Sequence, residues 1–151
     1  MAIPLPQIPD DAPFTEWLHS YLSELVKSVS ASAAPVPSIG KPRVLFLYGS
    51  QSGNAQSLCE GFAETMDQDG WAAEVVDMEN HASVDLTQEP LVLVVCSTWG
   101  EGDPPDNAVE FWEKFSSDEQ AKLPDTRFSV LSLGDTNYAD FCEMGKRFDA
   151  R

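Results

Sequence analysis

The chain has 151 residues, 42% of them hydrophobic, and a formal charge of -16 from 25 acidic against 9 basic side chains. That length and apolar content suit one domain with an appendage and leave no room for a second core. So acidic a surface repels polyanions, which argues against nucleic acid and anionic membrane as partners and favours a basic protein partner.

The three cysteines, Cys59, Cys96 and Cys142, are odd in number and lack CxxC spacing, so they read as reduced thiols in or near the core. Asp10 and Asp11 stand where a signal peptide would be apolar, and no apolar run reaches the length of a membrane span. The expected compartment is the cytoplasm.

In chain order, segment 1–29 carries Pro13, Phe14, Trp17, Leu18, Tyr21, Leu22, Leu25, Val26 and Val29 at helical spacing. It reads as an amphipathic helix that either folds back onto the domain or serves docking and oligomerisation. Segment 30–42, rich in proline and small residues, reads as a semi-rigid Pro/Ala linker. From residue 43 to residue 151, strand and helix patterns alternate, the signature of an α/β parallel sheet. RVLFLY from Arg43 predicts a strand, and Asn54 to about Gln68 a helix with Ala55, Leu58, Cys59, Phe62, Ala63 and Met66 on one face. Gly70 closes that helix, and AAEVVDM predicts the second strand. LVLVVCS, Leu91 to Ser97, has no polar alternation and predicts a central strand covered on both faces. Asp106 to Phe115 predicts a helix capped by Asp106 and burying Val109, Trp112 and Phe115. RFSVLSL, Arg127 to Leu133, predicts a fourth strand, and a last helix is expected from about Ala139 with Phe141, Met144 and Phe148 on one side. With no capping glycine before Arg151, the expected domain is truncated at its C-terminus.

Three loops follow the first, third and fourth predicted strands, at the sheet edge where open α/β folds bind ligands. In the first, Ser50, Ser52 and Asn54 supply polar side chains, and Gly53 allows close backbone approach. The helix starting near Asn54 aims its amides and positive dipole end at an anion. No Lys or Arg lies between Arg43 and Lys114, which excludes the GxxxxGK[ST] nucleotide loop, and the spacing of Gly49 and Gly53 fails GxGxxG. The second loop offers Trp99, flanked by Thr98 and Gly100, and the third offers Tyr138 near Gly134 and Asn137. Two aromatics at neighbouring loop tips suit a planar ring, each stack worth roughly 0.5–1.5 kcal/mol beyond area burial.

The set GSQSGNA, STWGEGDPPDNA and SLGDTNYADFC, from about Arg43 to the end, resembles the FMN-binding domain of the flavodoxin family, most closely in the sulfite reductase branch of the diflavin reductases. The resemblance implies a doubly wound parallel sheet of order 2-1-3-4, with the family's fifth strand and last helix missing. It implies a phosphate loop of Ser50, Gln51, Ser52, Gly53, Asn54 and Ala55. Ser97, Thr98, Trp99 and Gly100 would lie along one flavin face, and Leu133, Gly134, Asp135, Thr136, Asn137, Tyr138, Ala139, Asp140, Phe141 and Cys142 along the other. The peptide around Gly100 and Glu101 would turn toward flavin N5. The implied cofactor is FMN, with FAD and NADPH only on missing domains or a partner chain. The implied role is single-electron transfer from a reductase flavin to a metal or haem acceptor on a redox partner with a basic docking surface.

Glu101, Asp103, Asp106, Asp135, Asp140 and Glu143 crowd the same edge. One carboxylate about 8 Å from a reduced, anionic flavin, at an effective dielectric of about 20, costs roughly 2 kcal/mol, on the order of 90 mV per electron. His19 and His81 lack ligand-spaced partners and read as surface residues, and no metal site is expected. The competing readings are a free-standing flavodoxin-like carrier, an FMN-dependent quinone reductase and an interaction module without flavin. A phosphoacceptor domain needs paired acids after the first strand, where Gly49 and Ser50 stand.

Overall fold

The structure is a computed structural model and describes residues 40–117, 123 and 125–151. The predicted helix of segment 1–29, most of the linker and His19 lie outside the described residues. Four strands, β1 (Arg43–Gly49), β2 (Ala72–Asp77), β3 (Leu91–Ser97) and β4 (Arg127–Leu133), form one parallel sheet in the order β2-β1-β3-β4. Helices α1 (Asn54–Gln68), α2 (Val109–Ser116) and α3 (Glu143–Ala150) cover it, joined by short 3-10 turns.

The sheet is held by β3, whose residues from Leu91 to Cys96 are all buried because α1 covers one of its faces and α2 and α3 the other. Register pairs Leu47 with Val94 and Val94 with Val130, so period-two alternation sends Leu45, Leu47, Val92, Val94 and Cys96 to one face. There they meet Phe111 of α2 and Met144 and Phe148 of α3. The alternate residues Val44, Phe46, Leu93 and Val95 are buried on the other face. Helix α1, packed on β1, β2 and β3, supplies Ala55, Cys59, Ala63 and Met66 to that layer. Each large side chain fully buried in this way stabilises the fold by about 1.5–3 kcal/mol.

Local chemistry sets the helix boundaries. At the end of α1, Gly70 at φ 87° donates its N–H to Asp67 and Trp71 donates to Met66, the paired bonds of a Schellman stop. Helix α3 lies close on β4, where a Cβ on Gly145 would collide with the Cβ of Ser132.

Two expected helices are corrected. The segment from Asp106 starts as a 3-10 turn, Asp106–Ala108, and becomes α-helical only at Val109. Asp106 makes no cap bond there, Val109 is exposed, and the stripe turned inward is Ala108, Phe111, Trp112 and Phe115. The last helix begins at Glu143, not Ala139, because residues 134–142 are occupied by turns ending in left-handed Cys142 at φ 56°. Met144 and Phe148 are buried as expected, whereas Phe141 is exposed. His81 is half-buried, with Nδ1 2.9 Å from the Met78 carbonyl and its ring 5.6 Å from that of Phe111.

Candidate functional site

The first loop leaves β1 where the chain is tightly packed, since a Cβ on Gly49 would lie 2.9 Å from both Ala108 and the Cys96 sulfur. Ser50 donates its N–H to Asn107 Oδ1 at 2.9 Å, and its hydroxyl accepts the Ala55 N–H at 3.3 Å. Gln51 makes a reciprocal pair with Asp106: its amide nitrogen donates to the carboxylate and its oxygen accepts the Asp106 N–H, both at 3.1 Å. Ser52 and Asn54 are exposed. Gly53 adopts φ 82° with nothing within 4 Å of the position a Cβ would take. Helix α1 starts there without a side-chain cap and without an acid in its first turn. With the Ala55 N–H taken up by Ser50, the Asn54 and Gln56 N–H groups are left, among the described residues, for an outside acceptor.

The second loop is a tight reversal. Trp99 and Asp103 exchange two backbone hydrogen bonds of 2.8 Å around Gly100 at φ 51° and Gly102 at φ 93°. A side chain at Gly102 would press on Asp140 and Glu143 at 3.3 Å, so this loop lies against the third. Ser97 donates its hydroxyl to the Gly49 carbonyl at 3.3 Å, tying β3 to β1. The Trp99 side chain is 56% exposed.

In the third loop the Asp135 carboxylate accepts the Asn137 N–H at 2.8 Å and its Nδ2 at 2.7 Å, and Tyr138 donates its N–H to the Asp135 carbonyl. The loop doubles back so closely that a Cβ on Gly134 would lie 2.8 Å from the Cys142 nitrogen. Tyr138 is 64% exposed, and Thr136, Ala139 and Asp140 are exposed beside it. Leu133 accepts the Thr98 N–H at 3.1 Å, while Cys142 is half-buried with its thiol toward the Ser132 carbonyl.

The sequence-predicted residues thus sit on three loops at the carboxyl ends of β1, β3 and β4, with direct ties between the second and third through Thr98 and between β1 and β3 through Ser97. The six acids are not equivalent. Glu143 pairs with Arg147 at 3.2 Å and Lys146 at 3.7 Å, Asp106 is engaged by Gln51, and Asp135 braces its own loop. Glu101, Asp103 and Asp140 keep their side chains unpaired among the described residues. Beside the first loop, burial and then the Asp77 carboxylate push the Tyr48 phenol up to about 12, so it stays neutral. Sequence reasoning missed Asn107 and Asp77, which brace the first loop from other elements.

This donor set fits FMN. The open space at Gly53, the free Asn54 and Gln56 amides of α1 and the hydroxyls offer a phosphate hydrogen-bond donors without a cation, and two exposed rings stand at the adjacent loops. A partly open pocket of about 260 Å³ beside α2 and α3 is lined mostly by apolar side chains such as Val94, Phe111, Phe128 and Phe148 and by none of the loop residues.

A parallel sheet ordered 2-1-3-4 with glycine-rich and aromatic loops at its carboxyl edge defines an open doubly wound α/β domain for a phosphorylated ring. Residues 46–151 match the family described as Flavodoxin. The chain belongs to the flavodoxin family, whose cofactor is FMN. The sulfite reductase [NADPH] flavoprotein alpha-component of Bacillus subtilis (strain 168) is 43% identical over 147 residues, covering 89% of this chain and 24% of its own length. That of Shewanella sp. (strain ANA-3) is 36% identical over 138 residues, covering 89% and 23%. The chain therefore spans about a quarter of the length of these relatives. Among solved structures, oxidised Flavodoxin 1 from Bacillus cereus shares the fold with a TM-score of 0.61 and 22% identity, covering 72% of each chain. The Streptococcus pneumonia TIGR4 flavodoxin does so with a TM-score of 0.57 and 23% identity, also covering 72% of each.

Proposed function

We propose that residues 43–151 are the FMN-binding, electron-transfer module of a diflavin reductase of the sulfite reductase type. The observation that carries this reading is the meeting of a cation-free anion cradle with exposed Trp99 and Tyr138 on loops tied at one sheet edge. FMN supplies one-electron redox chemistry when bound.

The chain's own residues do the binding and positioning. Ser50, Gln51, Ser52, Gly53, Asn54 and Ala55 cradle the phosphate with hydroxyls and amides. Ser97 to Gly100 would hold Trp99 against one side of the ring and Leu133 to Cys142 would hold Tyr138 against the other, which would exclude water from both faces. Glu101, Asp103 and Asp140 keep the site negative, which disfavours adding charge to the ring and draws in a partner with a basic docking surface. In that role the bound FMN would relay single electrons between an FAD-bearing, NADPH-oxidising reductase domain and a metal or haem acceptor on the redox partner. No helix among the described residues is long and apolar enough to cross a membrane.

Stepwise anaerobic reduction of the chain loaded with FMN tests this reading. Two resolved one-electron steps, the second at lower potential than the first, support it, and a single two-electron step contradicts it.

A further inference from the structure

We propose that Asn107 is a positioning residue that holds the first loop in its anion-binding shape before any ligand arrives, an inference that rests on the FMN reading above. Its carboxamide is used at both ends: Oδ1 accepts the Ser50 N–H at 2.9 Å and Nδ2 donates to Asp77 Oδ1 at 3.0 Å. That same carboxylate oxygen accepts the Glu79 N–H at 2.9 Å, which fixes it in turn. One residue earlier, Asp106 and Gln51 hold each other through two hydrogen bonds of 3.1 Å. Two consecutive residues of the loop are therefore gripped by two consecutive residues of a turn more than fifty positions further along the chain.

The grip matters because of what the loop lacks. With no Lys or Arg between Arg43 and Lys114, affinity for a phosphate has to come from donors already aimed at it. A loop free to wander would have to be ordered at the moment of binding, and hydroxyls and amides alone return little for that ordering. Asn107 takes up the Ser50 N–H on the inner side of the loop, which leaves exposed Ser52 and Asn54 and the open Gly53 as the outward face. An amide supplies both the acceptor and the donor used at position 107, whereas a carboxylate there would face the carboxylate of Asp77.

The test compares FMN with riboflavin, which has the same ring without the phosphate, using dissociation constants from flavin fluorescence on the full chain. Asn107→Ala is expected to weaken FMN about tenfold, the scale of one lost hydrogen bond, and to change riboflavin less than twofold. Asn107→Asp is expected to weaken FMN at least as much. Adding Asp77→Ala to Asn107→Asp removes the facing carboxylate at unchanged net charge and leaves an oxygen for the Ser50 N–H, and it is expected to recover part of the loss. Circular dichroism melts accompany each variant, and the double variant carries the test if Asn107→Ala does not fold. Equal weakening of both flavins, unchanged FMN binding in Asn107→Ala, or no recovery in a folded double variant overturns the proposal. A folded parent chain that binds neither flavin overturns the FMN reading itself and this inference with it; a parent that binds FMN while Asn107→Ala binds it equally well overturns this inference alone.

Discussion

The hydroxyl of Thr98 accepts the backbone N–H of Met144 at 3.1 Å, so the loop that carries Trp99 caps the helix that follows Tyr138. The same residue donates its own N–H to Leu133 at 3.1 Å, which makes Thr98 the joint between the two aromatic loops. Thr98→Val keeps the shape and removes the cap acceptor. It is expected to lower stability by about 1 kcal/mol in urea unfolding and to weaken FMN and riboflavin alike, because the ring loops lose their common anchor.

Trp99 and Tyr138 expose 56% and 64% of their surface, so neither contributes much to the core. Trp99→Ala and Tyr138→Ala are expected to change unfolding free energy by less than about 0.5 kcal/mol. Each is expected to weaken flavin binding by roughly threefold to tenfold through the lost stacking. Fluorescence titration and thermal melts on the same samples separate the two effects.

Gly145 has a purely steric reason to be glycine, since its backbone runs against Ser132 of β4. Gly145→Ala is expected to cost about 1–3 kcal/mol by pushing α3 off the sheet. Adding Ser132→Gly removes the opposing Cβ and is expected to restore part of that loss, which a double-mutant cycle measures as a favourable coupling.

Burial pushes the Cys59 and Cys96 thiols from 9.0 up to about 12, with the charge of Glu60 a smaller influence on Cys59. In the unfolded chain both ionise near their ordinary value, so the unfolded state binds fewer protons than the folded one between about pH 9 and 12. The stability these two thiols contribute is therefore complete below about pH 9 and is lost as the pH rises toward 12. Urea midpoints at pH 8 and pH 10.5 are expected to show the decline, with Cys59→Ala flattening it. At pH 8, a thiol reagent is expected to modify half-buried Cys142 first and the two buried thiols only on unfolding.

The parts of the fold that were legible in the sequence are those where one local pattern decides. β3 and β4 keep their predicted bounds because each is a continuous strand-forming run, and α1 keeps its bounds because its stripe, its glycine start and its glycine stop agree. In α2 Trp112 and Phe115 turn inward as expected, but at 3.6 residues per turn they share a face with Phe111 and leave Val109 to one side, which a spacing of three obscures. The start of α3 was misplaced because Asp135 binds Asn137 in a local turn, and Cys142 then takes a left-handed conformation that no helix pattern announces. At the site, glycines and aromatics beyond apolar strands marked the loops. Asn107 and Asp77 escaped notice because their bonds join residues 57 and 30 positions apart, a relation absent from any local window. A clue was available in the polar Asp-Asn pair directly after Pro104 and Pro105, in a segment otherwise read only as a helix start.

The central claim is that three loops from separate parts of the chain form one FMN site, and hydrogen exchange with and without FMN tests it most directly. The account predicts slowed exchange in residues 50–57, 97–103 and 134–142 together, with the interior of the sheet unchanged. Protection confined to one loop, or appearing instead at the apolar cavity lined by Phe111, Phe128 and Phe148, would contradict it.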